Sequence, residues 1–139
     1  MLYPGTVYYC PDYFLPDGTL HDTWFVALTS PGLRLPALSI KATSNGERFG
    51  LPGFGCNIRE RCFNVPNHLE YGFTLPSYLI LPDLHRLSFH RYLQYRDQKK
   101  IFIKGKLDKE CLTSLLNCLE KFEDDINRDE YLTLFPVPF

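Results

Sequence analysis

Short apolar and aromatic runs, separated by turn signals, make up the first third of the chain. Thr6–Cys10 is β-branched and aromatic, Trp24–Thr29 is apolar, and Ala37–Ala42 follows a Ser-Pro-Gly turn signal. Each run has the composition of a β-strand. A Pro-Asp-Gly turn signal lies at residues 16–18. We therefore predict three strands, with a long first loop over residues 12–22.

The middle of the chain is less regular. Glycines and a proline interrupt residues 46–55, which predicts an irregular loop that continues to Arg61. Cys62–Val65 predicts a short strand. Thr74–Leu81 predicts a further strand, which starts late or lies at a sheet edge because Pro76 has no backbone N–H to donate.

The next segments leave more than one structure open. Residues 82–87 fit either a continuation of the preceding strand or a single helical turn. Phe89–Tyr95 fits a helix and a strand equally well, because its short apolar pattern matches both periods. Ile101–Gly105 predicts a short strand that ends at a glycine.

The clearest helical pattern begins at Asp108, which suits the N-cap position. Apolar residues then recur at spacings of three and four residues as far as Ile126, and Asn127 suits the C-cap. The acidic run Glu123–Asp125 opposes the helix dipole, which predicts a frayed last turn or a basic neighbour. The periodic positions are Leu112, Leu115, Leu116, Leu119, Phe122 and Ile126.

The order of these elements predicts the fold class. Several short strands followed by one amphipathic helix suit a mainly β fold with some α structure: a small, strongly bent barrel capped by the C-terminal helix. A chain of 139 residues is long enough for one domain with a core, which we place at residues 1–126. The apolar tail, 127–139, is expected either to dock on a groove or to stay exposed.

Composition narrows the class of protein. Hydrophobic residues make up 45% of the chain and charged residues 22%, which is ordinary for a globular domain. No apolar run approaches the roughly 18 residues of a transmembrane helix. The N-terminus lacks the basic and apolar regions of a secretory signal. We therefore expect a cytoplasmic protein with no membrane partner.

The cysteines are odd in number and not closely spaced in pairs: Cys10, Cys56, Cys62, Cys111 and Cys118. In a reducing compartment such residues are expected to be free thiols rather than a disulfide framework. A zinc site normally uses closer pairs, such as Cys-x2-Cys. We therefore predict no metal and no other cofactor.

The net charge of −1 conceals an uneven distribution. Residues 85–106 carry seven Lys and Arg against one Asp, whereas residues 107–139 carry eight Asp and Glu against three Lys and Arg. Residues 31–61 are also basic. A basic middle segment suits a face that binds polyanions, and the same charges are also compatible with a scattered, solvated surface.

Short motifs follow one another in a characteristic order. A Pro-Gly-x-Val-Tyr start leads to a strand that ends in Leu28-Thr29-Ser30, and then to one that ends in Ala42-Thr43-Ser44-Asn45. Later come Leu79-Ile80-Leu81, Leu84-x-x-Leu87 and a Lys104-Gly105-x-Leu107 entry into the helix. In this order the segments resemble the MazF/PemK-like family, over roughly residues 2–122.

The resemblance implies an SH3-like barrel with a C-terminal helix. Many members of the family are homodimeric toxins that cut RNA without a metal and are neutralised by an antitoxin protein or peptide. The family's threonine or serine after the third strand corresponds to Thr43 and Ser44. Its arginine at the start of the second strand has no counterpart at Asp22, Thr23 or Trp24, so catalysis would need another basic residue.

RNA cleavage by internal transfer needs a base for the 2′-hydroxyl, stabilisation of the phosphoryl charge and a proton for the leaving oxygen. Thr43, Ser44 and the backbone near Gly46 suit phosphate orientation. Arg48 suits charge stabilisation if its loop folds back, and His21 suits acid–base catalysis near neutral pH. The predicted catalytic residues are therefore Thr43, Ser44, Arg48 and His21. The predicted RNA-binding residues are Lys41, Asn45, Arg34, Arg59 and Arg61.

These assignments have structural alternatives. Residues 43–46 are also an ordinary turn sequence, and Arg48 and His21 also suit a solvated loop surface. Aromatic residues near the N-terminus suit base stacking, although strand alternation favours a core position for Tyr8 and Trp24. The aromatic candidates are Tyr8, Tyr9, Tyr13, Phe14 and Trp24.

Three functions therefore compete. The first is a toxin of a toxin–antitoxin system, acting as a metal-independent endoribonuclease on single-stranded RNA, with an antitoxin and a homodimeric partner. The alternative is a catalytically inactive MazF/PemK-like module that binds a protein partner or RNA, which the missing arginine favours. In a third hypothesis, the acidic segment after residue 107 lies over a basic groove and excludes RNA.

Overall fold

Seven antiparallel strands form one sheet in the computed structural model of this chain, which describes residues 2–32, 34–44, 54–65, 69–73 and 75–136. The strands are β1 (Thr6–Phe14), β2 (Leu20–Ala27), β3 (Ala37–Thr43), β4 (Gly55–Asn57), β5 (Cys62–Val65), β6 (Ser77–Leu87) and β7 (Phe102–Lys106). Their order across the sheet is β4-β5-β6-β3-β2-β1-β7. The fold is mainly β, as predicted.

Three α-helices accompany the sheet in the described part of the chain, so the expectation of a single helix is wrong. They are α1 (Phe89–Asp97), α2 (Lys109–Glu120) and α3 (Arg128–Leu134). Each begins at a polar N-cap side chain: Ser88 accepts from Arg91 N at 3.1 Å and Asp108 accepts from Cys111 N at 2.7 Å. Asn127 caps α3.

The helix predicted to run from Asp108 to Ile126 ends earlier. α2 stops at Glu120, and the acidic run Glu123–Asp125 forms a 3₁₀ turn. Asn127 is an N-cap rather than the expected C-cap, because its side-chain oxygen accepts from Asp129 N at 2.9 Å. The acidic residues that opposed the dipole of a longer helix therefore lie outside α2.

Both faces of the sheet are covered. Val7 packs in a cluster with Ile40 and the apolar face of α2, whereas the next residue, Tyr8, packs in a second cluster with Phe25 and Tyr92 of α1. Successive strand residues point to opposite faces, so the two clusters lie on the two sides of one sheet. Strand pairing does not close this sheet, because β4 and β7 lie at its two edges.

The segment that follows β5 covers the edge at β7. Leu69–Tyr71 forms a 3₁₀ turn, and a Cβ atom at Gly72 would lie 2.3 Å from the Lys104 carbonyl oxygen. A Cβ atom at Gly105 would lie 2.5 Å from the Glu70 carbonyl oxygen. The absence of a Cβ atom at these two glycines therefore allows the two backbone segments to approach closely. Gly72 also has φ +85°, a conformation that residues with a side chain rarely adopt.

The expected long first loop is mostly strand, which corrects that prediction. β1 continues to Phe14 and β2 begins at Leu20, so only a tight turn around Pro16-Asp17-Gly18 connects them. The ladder shifts register between Cys10 and Tyr13. A bulge of this kind keeps the strands paired past Pro11 and Asp12, two residue types that are depleted in strands.

β6 resolves two of the open alternatives. It runs from Ser77 to Leu87, so it begins just after Pro76, as expected, and residues 82–87 continue the strand. Residues 89–97 form a helix instead of a strand, because Ser88 supplies an N-cap. The short strand at Cys62–Val65 is confirmed.

The expectation of free thiols is wrong for two cysteines. Cys56 on β4 and Cys118 on α2 form a disulfide, with their Cα atoms 5.4 Å apart. They are 62 residues apart in sequence, and only the packing of α2 against β4 brings them together. Cys10, Cys62 and Cys111 are buried free cysteines. Disulfides persist mainly in oxidising compartments, and the cytoplasmic location stays a prediction.

Part of the apolar tail docks on the domain. Leu134 and Phe135, at the end of α3, pack against the core cluster that contains α2. Among the described residues, no helix has the length and apolar character needed to cross a membrane.

Candidate functional site

Thr43 and Ser44, the predicted centre of catalysis, line a small cleft at the end of β3. Its volume is about 90 Å³, and we call it the Thr43 cleft. It is lined by Trp24, Ala42, Thr43, Ser44, Phe73, Leu75 and Ser77. Three hydroxyl groups thus meet two aromatic rings at one end of the sheet.

The Thr43 cleft contains hydroxyl groups that suit the orientation of a phosphate. Among the described residues that line it, no side chain suits proton transfer near neutral pH. The Thr43, Ser44 and Ser77 hydroxyls are hydrogen-bond donors and acceptors. No guanidinium or imidazole of a described residue lines this cleft. Arg48 and Asn45, predicted to act here, lie outside the described residues.

The other predicted site residues do not converge on the Thr43 cleft. His21 is exposed at the start of β2, where it pairs with Tyr13, and it does not line the cleft. Arg34 precedes β3, whereas Thr43 ends it, so the two lie at opposite ends of one strand.

Arg59 and Arg61 lie on the β4–β5 turn, away from the cleft, and Arg61 is already engaged. Its Nη2 lies 3.3 Å from Asp125 Oδ2, and its guanidinium lies 5.0 Å from the centroid of the Phe122 ring. The structure therefore assigns Arg61 a contact with the segment after α2 and does not group these arginines with Thr43.

Lys41, the remaining predicted RNA-binding residue, lines a larger groove on the α1 side of the sheet. The groove has a volume of about 770 Å³, and we call it the His85 groove. Its lining includes the turn between β1 and β2, the middle of β6 and the start of α1. Its polar side chains are Tyr13, Asp17, Lys41, Asp83, His85, Arg86 and Arg91.

A bulge in β6 opens this groove. Between the pairs Ile40–Leu84 and Ala42–Leu79, β3 contributes one residue, Lys41, and β6 contributes residues 80–83. The extra residues of β6 interrupt the regular ladder, and bulges of this kind redirect side chains beside functional sites. His85 pairs with Ser39, two residues before Lys41 on the same face, so Lys41 is its diagonal neighbour.

His85 is half-buried among aromatic rings. Its imidazole makes edge contacts with Phe25 and Tyr13, at centroid distances of 5.1 Å and 6.3 Å. This desolvation lowers the pKa of His85 below its usual range, the nearby Asp83 carboxylate raises it, and Lys41 with two arginines lowers it further. At neutral pH the imidazole is therefore uncharged and able to accept a proton.

Arg91 reaches into the groove from α1 and is held in place. Its Nη2 donates to the Phe14 carbonyl oxygen at 2.6 Å and to the Tyr95 hydroxyl at 3.1 Å. Its guanidinium also lies 4.4 Å from the centroid of the Tyr13 ring. A cation–π contact of this kind fixes the charge without neutralising it.

The two other cations of the groove differ in their partners. Lys41 forms no ion pair with a described carboxylate, although its charge acts on Asp17 across the groove, so its ammonium can still approach a ligand. Arg86 instead forms a two-point ion pair with Glu130 of α3. The His85 groove thus combines an uncharged imidazole, an ammonium that can approach a ligand and a fixed guanidinium.

A metal was not expected. Among the described residues, no group of three or more His, Cys, Asp or Glu side chains is arranged to hold an ion. Metal independence stays a prediction about the reaction.

His85 and Arg91 were not predicted as site residues from the sequence. The charge pattern marks Arg91 only as part of the basic segment 85–106, and His85 belongs to a segment that fits both strand and helix. The sequence does contain one relevant pattern: if residues 82–87 form a strand, His85 points to the face opposite the apolar Leu84. To place His85 near Lys41, one must also know that this strand pairs with β3. That inference needs the strand pairing, which the sequence does not provide.

Comparisons with known proteins do not assign the chain to a family. No protein-family model matches it, and neither a curated protein nor a solved structure does. The resemblance to MazF/PemK-like proteins therefore stays a prediction, and a functional assignment has to rest on the geometry of the His85 groove and the Thr43 cleft.

Proposed function

We propose that this chain is an endoribonuclease that cuts single-stranded RNA without a metal, with its catalytic centre in the His85 groove. The observation that supports this proposal best is the meeting of His85, Lys41 and Arg91 in one open groove. RNA cleavage by 2′-hydroxyl transfer needs a base, an acid and a fixed positive charge. Each of these three side chains suits one of those roles.

The proposed chemistry is a single displacement at phosphorus. The neutral His85 imidazole takes the proton of the 2′-hydroxyl, and the 2′-oxygen forms a bond to phosphorus as the bond to the 5′-oxygen breaks. The Lys41 ammonium donates a proton to the leaving 5′-oxygen, and Arg91 stabilises the charge on the non-bridging oxygens. The products are a 2′,3′-cyclic phosphate and a 5′-hydroxyl end.

This proposal moves the catalytic centre away from Thr43 and Ser44. Their cleft suits a contact with the RNA backbone, since hydroxyl groups commonly bind phosphate oxygens. The same proposal includes four properties that rest on the resemblance to MazF/PemK-like proteins: the toxin role, the antitoxin partner, the homodimer and an SH3-like barrel. The open sheet would be a variant of that barrel.

The decisive assay is cleavage of a mixed pool of single-stranded RNAs by the purified protein in excess EDTA. We expect cyclic-phosphate products, and a rate at least about 100-fold lower for His85→Gln, because a positioned acid–base group contributes roughly 10²–10⁴-fold. Lys41→Ala should lower the rate as well. His90→Ala is the matched control, because His90 is an exposed histidine of α1 outside the groove.

Two results would contradict the proposal. One is an absence of product with every RNA in the pool, and the other is an equal rate for His85→Gln and the unmodified protein. A thermal melt of each variant distinguishes loss of the fold from loss of chemistry.

The second candidate is a catalytically inactive module that binds RNA or a protein partner. It is favoured by the lining of the Thr43 cleft, where the described residues include no imidazole or guanidinium. This candidate predicts RNA binding, or recovery of one small partner protein, with no cleavage product. The EDTA assay separates it from the nuclease.

A further inference from the structure

Three aromatic rings form a row across neighbouring strands on the α2 side of the sheet. Phe102 of β7 pairs with Tyr9 of β1, and Tyr9 pairs with Trp24 of β2. The ring centroids lie 6.4 Å apart for Tyr9 and Phe102, and 5.2 Å apart for Tyr9 and Trp24. We call these three residues the aromatic row.

A lysine lies over the aromatic row. Lys104 Nζ is 5.7 Å from the Phe102 centroid, 5.8 Å from the Tyr9 centroid and 6.0 Å from the Trp24 centroid. Lys104 has no ion pair with a described carboxylate. Its positive charge is therefore held above three rings and remains available to an anion.

The aromatic row is accessible at the edge of the sheet. Phe102 is 44% exposed, Tyr9 and Trp24 are half-buried, and Lys104 is exposed. A single exposed apolar side chain is ordinary, but contiguous apolar surface rimmed by polar residues is typical of a binding site. Trp24 also contacts Phe73, with ring centroids 5.6 Å apart, and both line the Thr43 cleft. The row thus continues into the hydroxyl groups of that cleft.

We infer that the aromatic row binds single-stranded RNA, with bases stacked on Phe102, Tyr9 and Trp24 and a backbone phosphate bound by Lys104. This inference deepens the proposed function, because it assigns a substrate-binding surface beyond the His85 groove. RNA-binding sheets of other folds also stack two or three bases on aromatic side chains of neighbouring strands.

The chemistry of the row favours RNA over an apolar protein segment. An apolar partner would have to desolvate the Lys104 ammonium, which costs free energy unless a negative group pairs with it. Lys99 and Lys100 lie just before β7 in sequence, Lys106 is its last residue, and all three add positive charge. Two carboxylates oppose this positive charge beside Tyr9: Asp12, and Asp22, which accepts from the Tyr9 hydroxyl and from Asp12 N, the latter at 3.0 Å.

The aromatic row and the His85 groove lie on opposite faces of the sheet. Tyr9 and Trp24 alternate with Tyr8 and Phe25, and His85 contacts Phe25. An RNA that occupies both sites must therefore pass around the sheet. Variants in the row should therefore weaken the binding of strands long enough to reach both sites.

The test uses a 2′-O-methyl RNA of about 12 nucleotides, which cannot undergo 2′-hydroxyl transfer, so binding is measured whether or not the protein is a nuclease. We expect Phe102→Ala to raise the Kd by about 5- to 100-fold in fluorescence anisotropy, the loss expected for one stacked base. Ile103→Ala is the matched control, because Ile103 is exposed on the same strand and alternates to the other face.

Two further measurements distinguish the phosphate contact of Lys104 from base stacking on Phe102. Lys104→Ala should reduce the slope of log Kd against log salt by about one phosphate contact. A strand with abasic sites should bind the unmodified protein and Phe102→Ala equally weakly. Equal Kd values for Phe102→Ala and Ile103→Ala would overturn the inference. So would a Phe102→Ala defect seen only in self-association by light scattering, which would assign the row to a second copy of the chain.

Discussion

At the scale of single residues, His85 illustrates how an environment changes a side chain's chemistry. Two aromatic rings remove water from its imidazole, and Lys41, Arg86 and Arg91 disfavour its protonated form, while Asp83 alone opposes them. A histidine in solution titrates near the middle of the physiological range. In this groove it stays neutral to lower pH, which suits a proton acceptor next to cations that bind phosphate.

This depressed pKa has a consequence for stability. The folded state binds fewer protons than the unfolded state between the folded pKa of His85 and the unfolded value of about 6.5. The contribution of His85 to stability is therefore complete above that window and is lost as the pH falls through it. Chemical denaturation between pH 7.5 and pH 5 should show a smaller fall in the free energy of unfolding for His85→Gln than for the unmodified protein.

The control for this measurement is His90→Ala, which removes an exposed histidine of α1 outside the groove and leaves the contribution of His85 in place. An unchanged fall in His85→Gln would mean that other groups account for the acid sensitivity. In that case the proposed neutral base would lose its physical support.

At the scale of secondary-structure elements, β6 shapes the candidate site and α3 contacts its rim. The bulge in β6 places His85 and Asp83 around Lys41. Asn127 caps the start of α3, and Glu130 of that helix pairs with Arg86 at the rim of the same groove. A short acidic helix thus neutralises one of the cations that an RNA phosphate would otherwise meet.

The ion pair between α3 and β6 tests the hypothesis that the acidic C-terminal segment competes with RNA. We expect Glu130→Gln to free Arg86 and to tighten RNA binding at low salt, because an unpaired arginine favours phosphate. The effect should vanish at high salt, where exposed charges are screened. Glu120→Gln is a suitable control, since Glu120 is an exposed acidic residue at the end of α2 with no described ion pair.

The measurement is the Kd for a non-cleavable RNA at two ionic strengths. If Glu130→Gln and Glu120→Gln bind RNA equally well at low salt, the acidic helix does not compete for the groove. Its role would then be limited to covering the core with Leu134 and Phe135.

At the scale of the whole molecule, two contacts between distant segments link the two edges of the sheet to α2. The Cys56–Cys118 disulfide joins the edge strand β4 to α2. At the other edge, the Tyr71 hydroxyl donates to Asp108 Oδ2 at 2.8 Å and so links the segment beside β7 to the N-cap of α2. Both links converge on α2, which therefore ties the edges of an open sheet together.

The disulfide closes a loop of 62 residues, and loops of this size limit the unfolded chain enough to stabilise a fold by about 2–4 kcal/mol. We expect a reducing agent to lower the Tm of the unmodified protein by several degrees. Cys56→Ser should melt at that lower Tm with or without the reductant, because Cys56 is exposed and its replacement leaves no cavity. A Tm that does not respond to reduction would show that the bond does not form in the purified protein.

Individual residues show which parts of the fold could be predicted from the local sequence and which could not. Val7, Val26 and Ile40 lie in strands whose composition predicted them, and Asp108 begins a helix as its N-cap chemistry predicted. Asn127 was assigned to the wrong helix end, because asparagine suits both ends and the residues after it decide between them. The residues around Asp12 were assigned to a loop, because Pro11 and Asp12 are of types depleted in strands and only a bulge accommodates them in one.

Less of the candidate site than of the fold could be predicted from the sequence. Thr43 and Ser44 were predicted together and lie together, because they are neighbours in the chain. Arg34, Arg59 and Arg61 were grouped with them by charge alone, and the fold separates these arginines, because charge carries no information on which strands pair. His85 and Arg91 were missed for the same reason: they meet Lys41 through the order β6-β3-β2-β1 and the packing of α1.

By itself, the sequence determined a mainly β chain with a capped helix after residue 107, because strand composition, turn residues and helix caps act over a few neighbouring positions. Tertiary structure alone decided that the sheet stays open with both faces covered, that Cys56 meets Cys118, and that a neutral imidazole lies among cations on one face with an aromatic row on the other. Each of those features joins residues from distant segments, and the free energy that selects such pairings comes from the burial of the whole core.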